Sequence, residues 1–181
     1  DLAVDQISAV GDVNGDNVDD IVIGAPMDNL AYVVYGSEAF SSGYIDELEV
    51  TTLTWTTNPN AGVGSTVSSA GDFNQDGIND IIVGAPGFSA WVVFGSLTLA
   101  SSSSISLDDV GLTVPGLHID SYDGCGDSVG SAGDFDLDGR GDVLIGCSSQ
   151  GTSNAYLVYG GQTGSLLLDN ADSTQVESFL N

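Results

Sequence analysis

Apolar residues in this chain come in short bursts between polar loops, and the bursts recur. Ile21–Gly24, Ile81–Gly84 and Val143–Gly146 are brief β-branched or apolar runs, the pattern of a buried strand. Ala-Pro or Cys-Ser breaks each run, and a second apolar run follows at Tyr32–Tyr35, Trp91–Phe94 and Tyr156–Tyr159, closed by glycine. Ahead of each pair stands a lead of small and apolar residues, ISAVG (7–11), VSSAG (67–71) and VGSAG (129–133). A more variable fourth strand is expected at Leu48–Leu53, Ser106–Leu112 and Ser165–Leu168. No segment sustains a 3.6-residue period, so the expected class is all-β.

The bursts belong to an internal repeat. GDVNGDNVDDIVIGAP (11–26), GDFNQDGINDIIVGAP (71–86) and GDFDLDGRGDVLIGCS (133–148) align without gaps. Asp12 and Asp72 are 60 residues apart, and Asp72 and Asp134 are 62 apart. Four strands in a unit of that length is the pattern of a β-propeller blade. The expected units are blade 1 over about 1–58, blade 2 over about 59–118 and blade 3 over about 119–181, within a single 181-residue segment.

The loop inside each repeat carries the candidate chemistry. Polar side chains fall on alternate positions: Asp12, Asn14, Asp16 and Asp20; Asp72, Asn74, Asp76 and Asp80; Asp134, Asp136, Asp138 and Asp142. Oxygen ligands at positions 1, 3, 5 and 9, with the position-7 carbonyls of Val18, Ile78 and Arg140 between them, suit a hard cation. Position 6 is Asn17, Gly77 or Gly139, residues that tolerate the positive φ of a sharp turn. Calcium fits better than magnesium because it accepts many oxygens in a flexible cage. No His or Cys lies in the loops, which disfavours zinc and copper. A single such loop would read equally well as an acidic surface turn; three in register predict three Ca²⁺ sites. An EF-hand is disfavoured, since position 12 is Ile23, Val83 or Ile145 rather than an acid, and the flanks read as strands.

Charge narrows the partners. The chain has 26 acidic residues and one basic one, for a net charge of −25. Nucleic acid is excluded as a partner and an anionic membrane surface is disfavoured. No apolar run approaches the ~18 residues of a membrane span, so direct membrane insertion is not expected. Three divalent ions would offset only a small part of the charge; the remainder reads as a solvated face.

The run G-D-x-[ND]-x-D-x-x-x-D followed by an apolar strand and Gly-Ala-Pro, then by a Tyr/Trp-Val-Val-[Tyr/Phe]-Gly strand, resembles the FG-GAP repeat of integrin α-subunit propellers. Gly-Ala-Pro is intact at 24–26 and 84–86, and repeat three departs with Gly146-Cys147-Ser148. The leading Phe-Gly is degraded to Val63-Gly64 and Cys125-Gly126. The resemblance implies calcium loops joining the first two strands of each blade, with partners bound on the opposite face. It also implies that the Phe-Gly and Gly-Ala-Pro motifs pack together within one blade, so a Cys125–Cys147 disulfide is the expectation, against two small buried thiols. Propellers start at about four blades, so three repeats imply flanking blades in a longer chain or, second, completion by self-association.

The remaining signals are weaker. Arg140-Gly141-Asp142 spells an integrin-recognition tripeptide, but Asp142 is a loop ligand, so the match reads as chance. The only histidine, His118, has no nucleophile or second His at a recognisable spacing and reads as a surface-loop residue. Trp55 lies outside the repeat and reads as blade-to-blade packing. The expected function is a calcium-stabilised extracellular or cell-surface adhesion module without catalytic activity that presents loops to a protein or glycan partner. The alternatives are an accessory propeller of a secreted enzyme and a structural subunit of a filament or matrix. Loop three, with four Asp ligands, is expected to bind calcium at least as tightly as the others.

Overall fold

The computed structural model describes residues 4–37, 49–149, 152–171 and 173–179. In the first repeat β1 (Gln6–Gly11), β2 (Asp20–Ala25), β3 (Leu30–Val34) and β4 (Val50–Thr54) form an antiparallel meander. The second repeat repeats it with β5 (Thr66–Gly71), β6 (Asp80–Ala85) and β7 (Phe88–Val93). Two further segments follow, β8 (Ser104–Ser106) and β9 (Gly116–Cys125), of which β9 is the antiparallel neighbour of β7. The third repeat contributes β10 (Ser128–Gly133), β11 (Asp142–Ser149), β12 (Thr152–Val158), β13 (Gly164–Leu167) and β14 (Val176–Ser178), with β14 paired to β12. The fold is all-β, built of propeller-type blades. Among the described residues no helix is long and apolar enough to cross a membrane.

The outer strands differ from the sequence expectation in two repeats. In blade 1, β4 falls where a fourth strand was expected, although Leu48 lies outside the described residues. Ser106–Leu112 is not the fourth strand of blade 2: only Ser106 is in a strand, and a short 3₁₀ turn over Leu107–Asp109 follows. Ser165–Leu168 is likewise not the fourth strand of blade 3. These segments cross to the preceding blade. β8 pairs in parallel with β4, and β13 pairs in parallel with β9. The true fourth strands are β9, which runs past residue 118 to Cys125, and β14.

The two crossing segments share a pattern, Ser-[Ile/Leu]-x-Leu-Asp at 104–108 and 165–169. Each ends in a 3₁₀ turn whose Asp ties back to the preceding blade. The Asp108 carboxylate accepts the Thr56 amide (3.0 Å), the Thr56 hydroxyl (2.7 Å) and the Thr57 amide (3.3 Å), and Asp169 accepts the Tyr122 amide at 2.8 Å. Partial burial pushes the Asp108 carboxyl up, but the donors of Thr57 and Thr56 outweigh it and hold its pKa at about 2.

Burial follows from this stacking. Val22, Val33 and Leu53 of blade 1 share a core with Ile81, Val83, Trp91 and Val93 of blade 2. Ile82, Val92, Leu117 and Ile119 of blade 2 share a second core with Val143, Ile145 and Val158 of blade 3. Alternate residues of β6 therefore serve two cores, and all six of its residues are buried. That is why its sequence reads DIIVGA without polar alternation. Each fully buried Val, Leu or Ile contributes about 1.5–3 kcal/mol.

The glycines of the Gly-Ala-Pro runs sit at the blade junctions. A Cβ on Gly24 would collide with the Gly64 carbonyl, and one on Gly84 with the Gly126 carbonyl. The degraded Phe-Gly glycine of one repeat thus packs on the preceding blade, where only hydrogen fits.

Candidate metal loops

The loops between β1 and β2, β5 and β6, and β10 and β11 have the same internal wiring. In loop one the Asp12 carboxylate accepts the amides of Gly15 (2.6 Å), Asp16 (3.1 Å) and Asn17 (2.7 Å). Asn14 accepts the Asp16 amide at 2.9 Å, and Asp16 accepts the Val18 amide at 2.8 Å. In loop two Asp72 accepts Asp76 and Gly77, Asn74 accepts Asp76, and Asp76 accepts Ile78, each at 2.9 Å. In loop three Asp134 accepts Gly139 (3.1 Å), Asp136 accepts Asp138 (3.1 Å) and Asp138 accepts Arg140 (2.9 Å). The side chains at positions 1, 3 and 5 therefore curl inward over their own backbone.

Two residues of each loop adopt positive φ. Position 6 does so, at Asn17 (67°), Gly77 (89°) and Gly139 (89°), as its residue types suggested. Position 4 does so as well, at Gly15 (78°), Gln75 (62°) and Leu137 (66°). This position was not anticipated from the sequence: of its three residues only Gly15 is a type that favours positive φ, and Gln and Leu carry no such preference.

Carboxylate oxygens of Asp134, Asp136 and Asp138 all lie within 4.8 Å of one another. Asp142 stands outside this group. The ninth positions Asp20, Asp80 and Asp142 are buried and span two parts of their blade. Asp20 accepts the amides of Val13 (2.9 Å) and Gly36 (2.8 Å), Asp80 those of Phe73 (2.8 Å), Asn74 (3.3 Å) and Gly95 (2.8 Å), and Asp142 those of Phe135 (2.7 Å) and Gly160 (2.9 Å). Each ninth Asp thus fastens the loop to the glycine that closes the third strand. An ionised carboxylate has about four acceptor sites, so two or three amide bonds leave capacity for an ion.

Electrostatics separate these groups. Burial raises the carboxyls of Asp20, Asp80 and Asp142 despite their amide donors, and Asp80 reaches about 7. Asp138 is lowered instead, chiefly by its hydrogen bond from Arg140 at 2.7 Å. The donor set of each loop, three side chains with short oxygen arms gathered at a turn plus a buried acid beneath, fits a hard cation. Such an ion would supply the positive charge that the gathered carboxylates lack.

The loops are also joined in a row. The Asn79 amide donates to the Asp12 carbonyl (3.0 Å) and the Gly141 amide to the Asp72 carbonyl (2.9 Å). The Ser96 amide donates to the Val13 carbonyl (3.0 Å) and the Gly161 amide to the Phe73 carbonyl (2.6 Å). Sequence reading missed these stitches because they use backbone atoms at position 8 and after the third strand, where no side-chain type recurs.

Cys125, at the end of β9 in the sheet of blade 2, forms a disulfide with Cys147 on β11 in the sheet of blade 3. The bond therefore joins neighbouring blades rather than lying within one sheet. The carboxylate of the Arg140-Gly141-Asp142 tripeptide is fully buried and hydrogen-bonded, which removes it from any surface motif. His118 is not in a surface loop: it is half-buried on β9 and stacks on Trp91, with ring centroids 5.4 Å apart and planes at 5°. Trp55 packs edge-on against Trp91 (4.8 Å) and Phe88 (5.9 Å), bringing an aromatic of blade 1 onto blade 2.

Comparison with known proteins agrees with this geometry. The FG-GAP repeat family matches residues 6–41 and 63–99. The chain is similar to integrin alpha pat-2 of Caenorhabditis elegans, with 30% identity over 87% of this chain and 14% of that protein. It is similar to integrin alpha-5 of Xenopus laevis, 30% identical over 86% of this chain and 15% of the relative, and to integrin alpha-PS5 of Drosophila melanogaster, 31% identical over 82% and 15%. The chain spans about 14–15% of the length of the curated relatives it matches.

Proposed function

We propose that this chain, which carries FG-GAP repeats, is a three-blade part of a calcium-stabilised propeller that works outside the cell or at its surface as a non-catalytic adhesion module. The observation that carries this reading is the threefold recurrence of one loop, wired alike each time and tied to its neighbours. Asp12, Asn14, Asp16 and Asp20 would hold the first ion, with the Val18 carbonyl. Asp72, Asn74, Asp76 and Asp80 would hold the second with the Ile78 carbonyl, and Asp134, Asp136, Asp138 and Asp142 the third with the Arg140 carbonyl. Similarity to integrin alpha subunits supports an adhesive role with a protein or glycan partner met away from the acidic loops. The blades divide near residue 58 and, because β9 runs on to Cys125 as the fourth strand of blade 2, near residue 126 rather than 118; flanking blades or a second copy complete the ring.

Calcium's role is to replace mutual repulsion by attraction. Each empty loop crowds three or four acids, so an ion that binds only the folded form stabilises it by mass action. Thermal unfolding with and without calcium, run beside native mass spectrometry, tests the reading. A large calcium-dependent rise in melting temperature with three ions per chain is expected. No thermal response and no bound ions would reduce the loops to acidic turns and remove the calcium part of the proposal.

A further inference from the structure

The row of blades has a bare apolar face at each end. On blade 1, Ile7 and Ile21 are 61% and 39% exposed, whereas their counterparts Val67 and Ile81 in blade 2 are buried. On blade 3, Phe135 and Leu144 are exposed, whereas their counterparts are buried both in blade 2, as Phe73 and Ile82, and in blade 1, as Val13 and Val22. These faces are the two halves of one interface that the chain builds twice. Val13 and Val22 of blade 1 share a core with Val67 and Ile81 of blade 2. Phe73 and Ile82 of blade 2 share the next with Val143 of blade 3.

The match extends to detail. Beside Ile21 the bare face of blade 1 holds a cleft of about 310 Å³ lined by Val18, Val34, Tyr35 and Gly36. On the other two blades the preceding acidic loop occupies this place. A Cβ on Gly95 would stand 2.8 Å from the Val13 carbonyl, and one on Gly160 would stand 3.0 Å from the Phe73 carbonyl. A Cβ on Gly36 would have Asp19 and Val18 of its own blade as its nearest neighbours. The residue of blade 3 equivalent to Val13 and Phe73 is Phe135. The backbone steps along in the same register: the amides of Asn79 and Gly141 donate to the carbonyls of Asp12 and Asp72. The next step of that series sets Asp19 of a second copy against the Asp134 carbonyl.

We propose that the chain self-associates head to tail, with Phe135 and Leu144 of blade 3 docked on the Ile7–Ile21 face and cleft of blade 1 in a second copy. The proposal rests on the propeller reading and names a second copy as the occupant of its open faces. That occupant is favoured because each bare face finds its complement on this same chain. Contact between two different patches is heterologous and closes into a ring where the rotation allows. Two copies of three blades make a ring of six, within the roughly four to eight blades of propellers. A net charge of −25 on each copy opposes association, so calcium and moderate salt should favour it, and dilute chain leaves both faces bare.

Sedimentation velocity of the full chain in calcium, over a concentration series, tests this. A rise toward twice the monomer mass is expected. Ile7→Glu and Leu144→Glu should each weaken it at least about tenfold. Both side chains are exposed in the single copy, so the melting temperature of dilute protein should hold. Mixing the two variants restores one unaltered junction per pair, so the mixture should associate more tightly than either variant alone. A monomer at every concentration would overturn the proposal, as would association that both variants leave intact or a mixture no tighter than its components. Melting temperatures with and without calcium in the same samples separate loss of self-association from failure of the calcium-stabilised propeller reading.

Discussion

Blades 2 and 3 follow one repeat pattern, yet one is enclosed and the other is half bare. Phe73, Ile82 and Ile119 of blade 2 are 0% exposed, while their counterparts Phe135, Leu144 and Phe179 in blade 3 are 58%, 41% and 51% exposed. The backbone tells the same story. The carbonyls of Asp72 and Phe73 accept amides from blade 3, whereas those of Asp134 and Phe135 have no such counterpart among the described residues. Blade 2 also receives the crossing strand β13 on its outer edge. The difference lies in neighbours rather than in residue types, as in other repeat architectures where stability is a sum of units and interfaces. An apolar face of this kind on blade 3 matches the side on which blade 2 meets blade 3, which is why a further blade is the occupant proposed above.

The sharpest way to break this comparison is to delete the same ring on both blades. Phe73→Ala is expected to cost about 3–5 kcal/mol, as buried aromatic deletions do, and Phe135→Ala less than ~1 kcal/mol. Urea unfolding of the two variants measures this; equal losses would mean that the outer face of blade 3 is covered in solution. The disulfide comes next. Cys125 and Cys147 are 22 residues apart, and loss of such a closure costs about 2–4 kcal/mol. Cys147→Ser should therefore release blade 3 first, seen as faster amide exchange in β11 and β12 than in β6 and β7. Uniform acceleration in all blades would show that the cross-link is not specific to that junction.

How much of this was legible in the sequence follows from the range of each interaction. The first three strands and the loops are local: Ile81, Ile82 and Val83 beside Asp80 declare a strand and its entry without reference to the rest of the chain. The outer strands are not local. Ser104–Ser106 (SIS) and Gly116–Cys125 (GLHIDSYDGC) carry only scattered apolar residues, and only pairing in space assigns the first to blade 1 and the second to blade 2. Asp20, Asp80 and Asp142 were read as ligands alone; their bonds to Gly36, Gly95 and Gly160 give them a second role. The recurring glycine after the third strand was the available signal.

Calcium should sharpen the contrast through Asp80. Burial raises its pKa from 3.8 to about 7. Between those values the ion-free native state keeps a proton that the unfolded chain has lost. The associated stability is full below pH 3.8 and falls away as pH rises through 7. A cation at loop two replaces that proton, so the calcium-induced stabilisation should be larger at pH 8 than at pH 5. At a hundredfold excess over Kd each site supplies about 2.7 kcal/mol. Melting curves at both pH values, with and without calcium, check the sign; equal increments would mean that Asp80 is ionised throughout.

The smallest expected effect concerns the single basic side chain. Arg140 holds Asp138 at 2.7 Å, and the two side chains are 35% and 33% exposed. Pairs so open to water contribute less than ~1 kcal/mol, so Arg140→Gln should barely move the ion-free stability. Its consequence lies in loop three. Asp16 and Asp76 have their outer oxygen on the neutral amides of Asn14 and Asn74 (3.0 and 2.9 Å), while Asp138 has it on a full positive charge. A guanidinium there repels an incoming cation and offsets the advantage of a fourth Asp. Calcium titration should show tighter binding at loop three in Arg140→Gln, by a few-fold, with loops one and two unchanged. Unchanged affinity at loop three would mean that Asp138 meets the ion through its other oxygen, the one that now accepts the Arg140 amide.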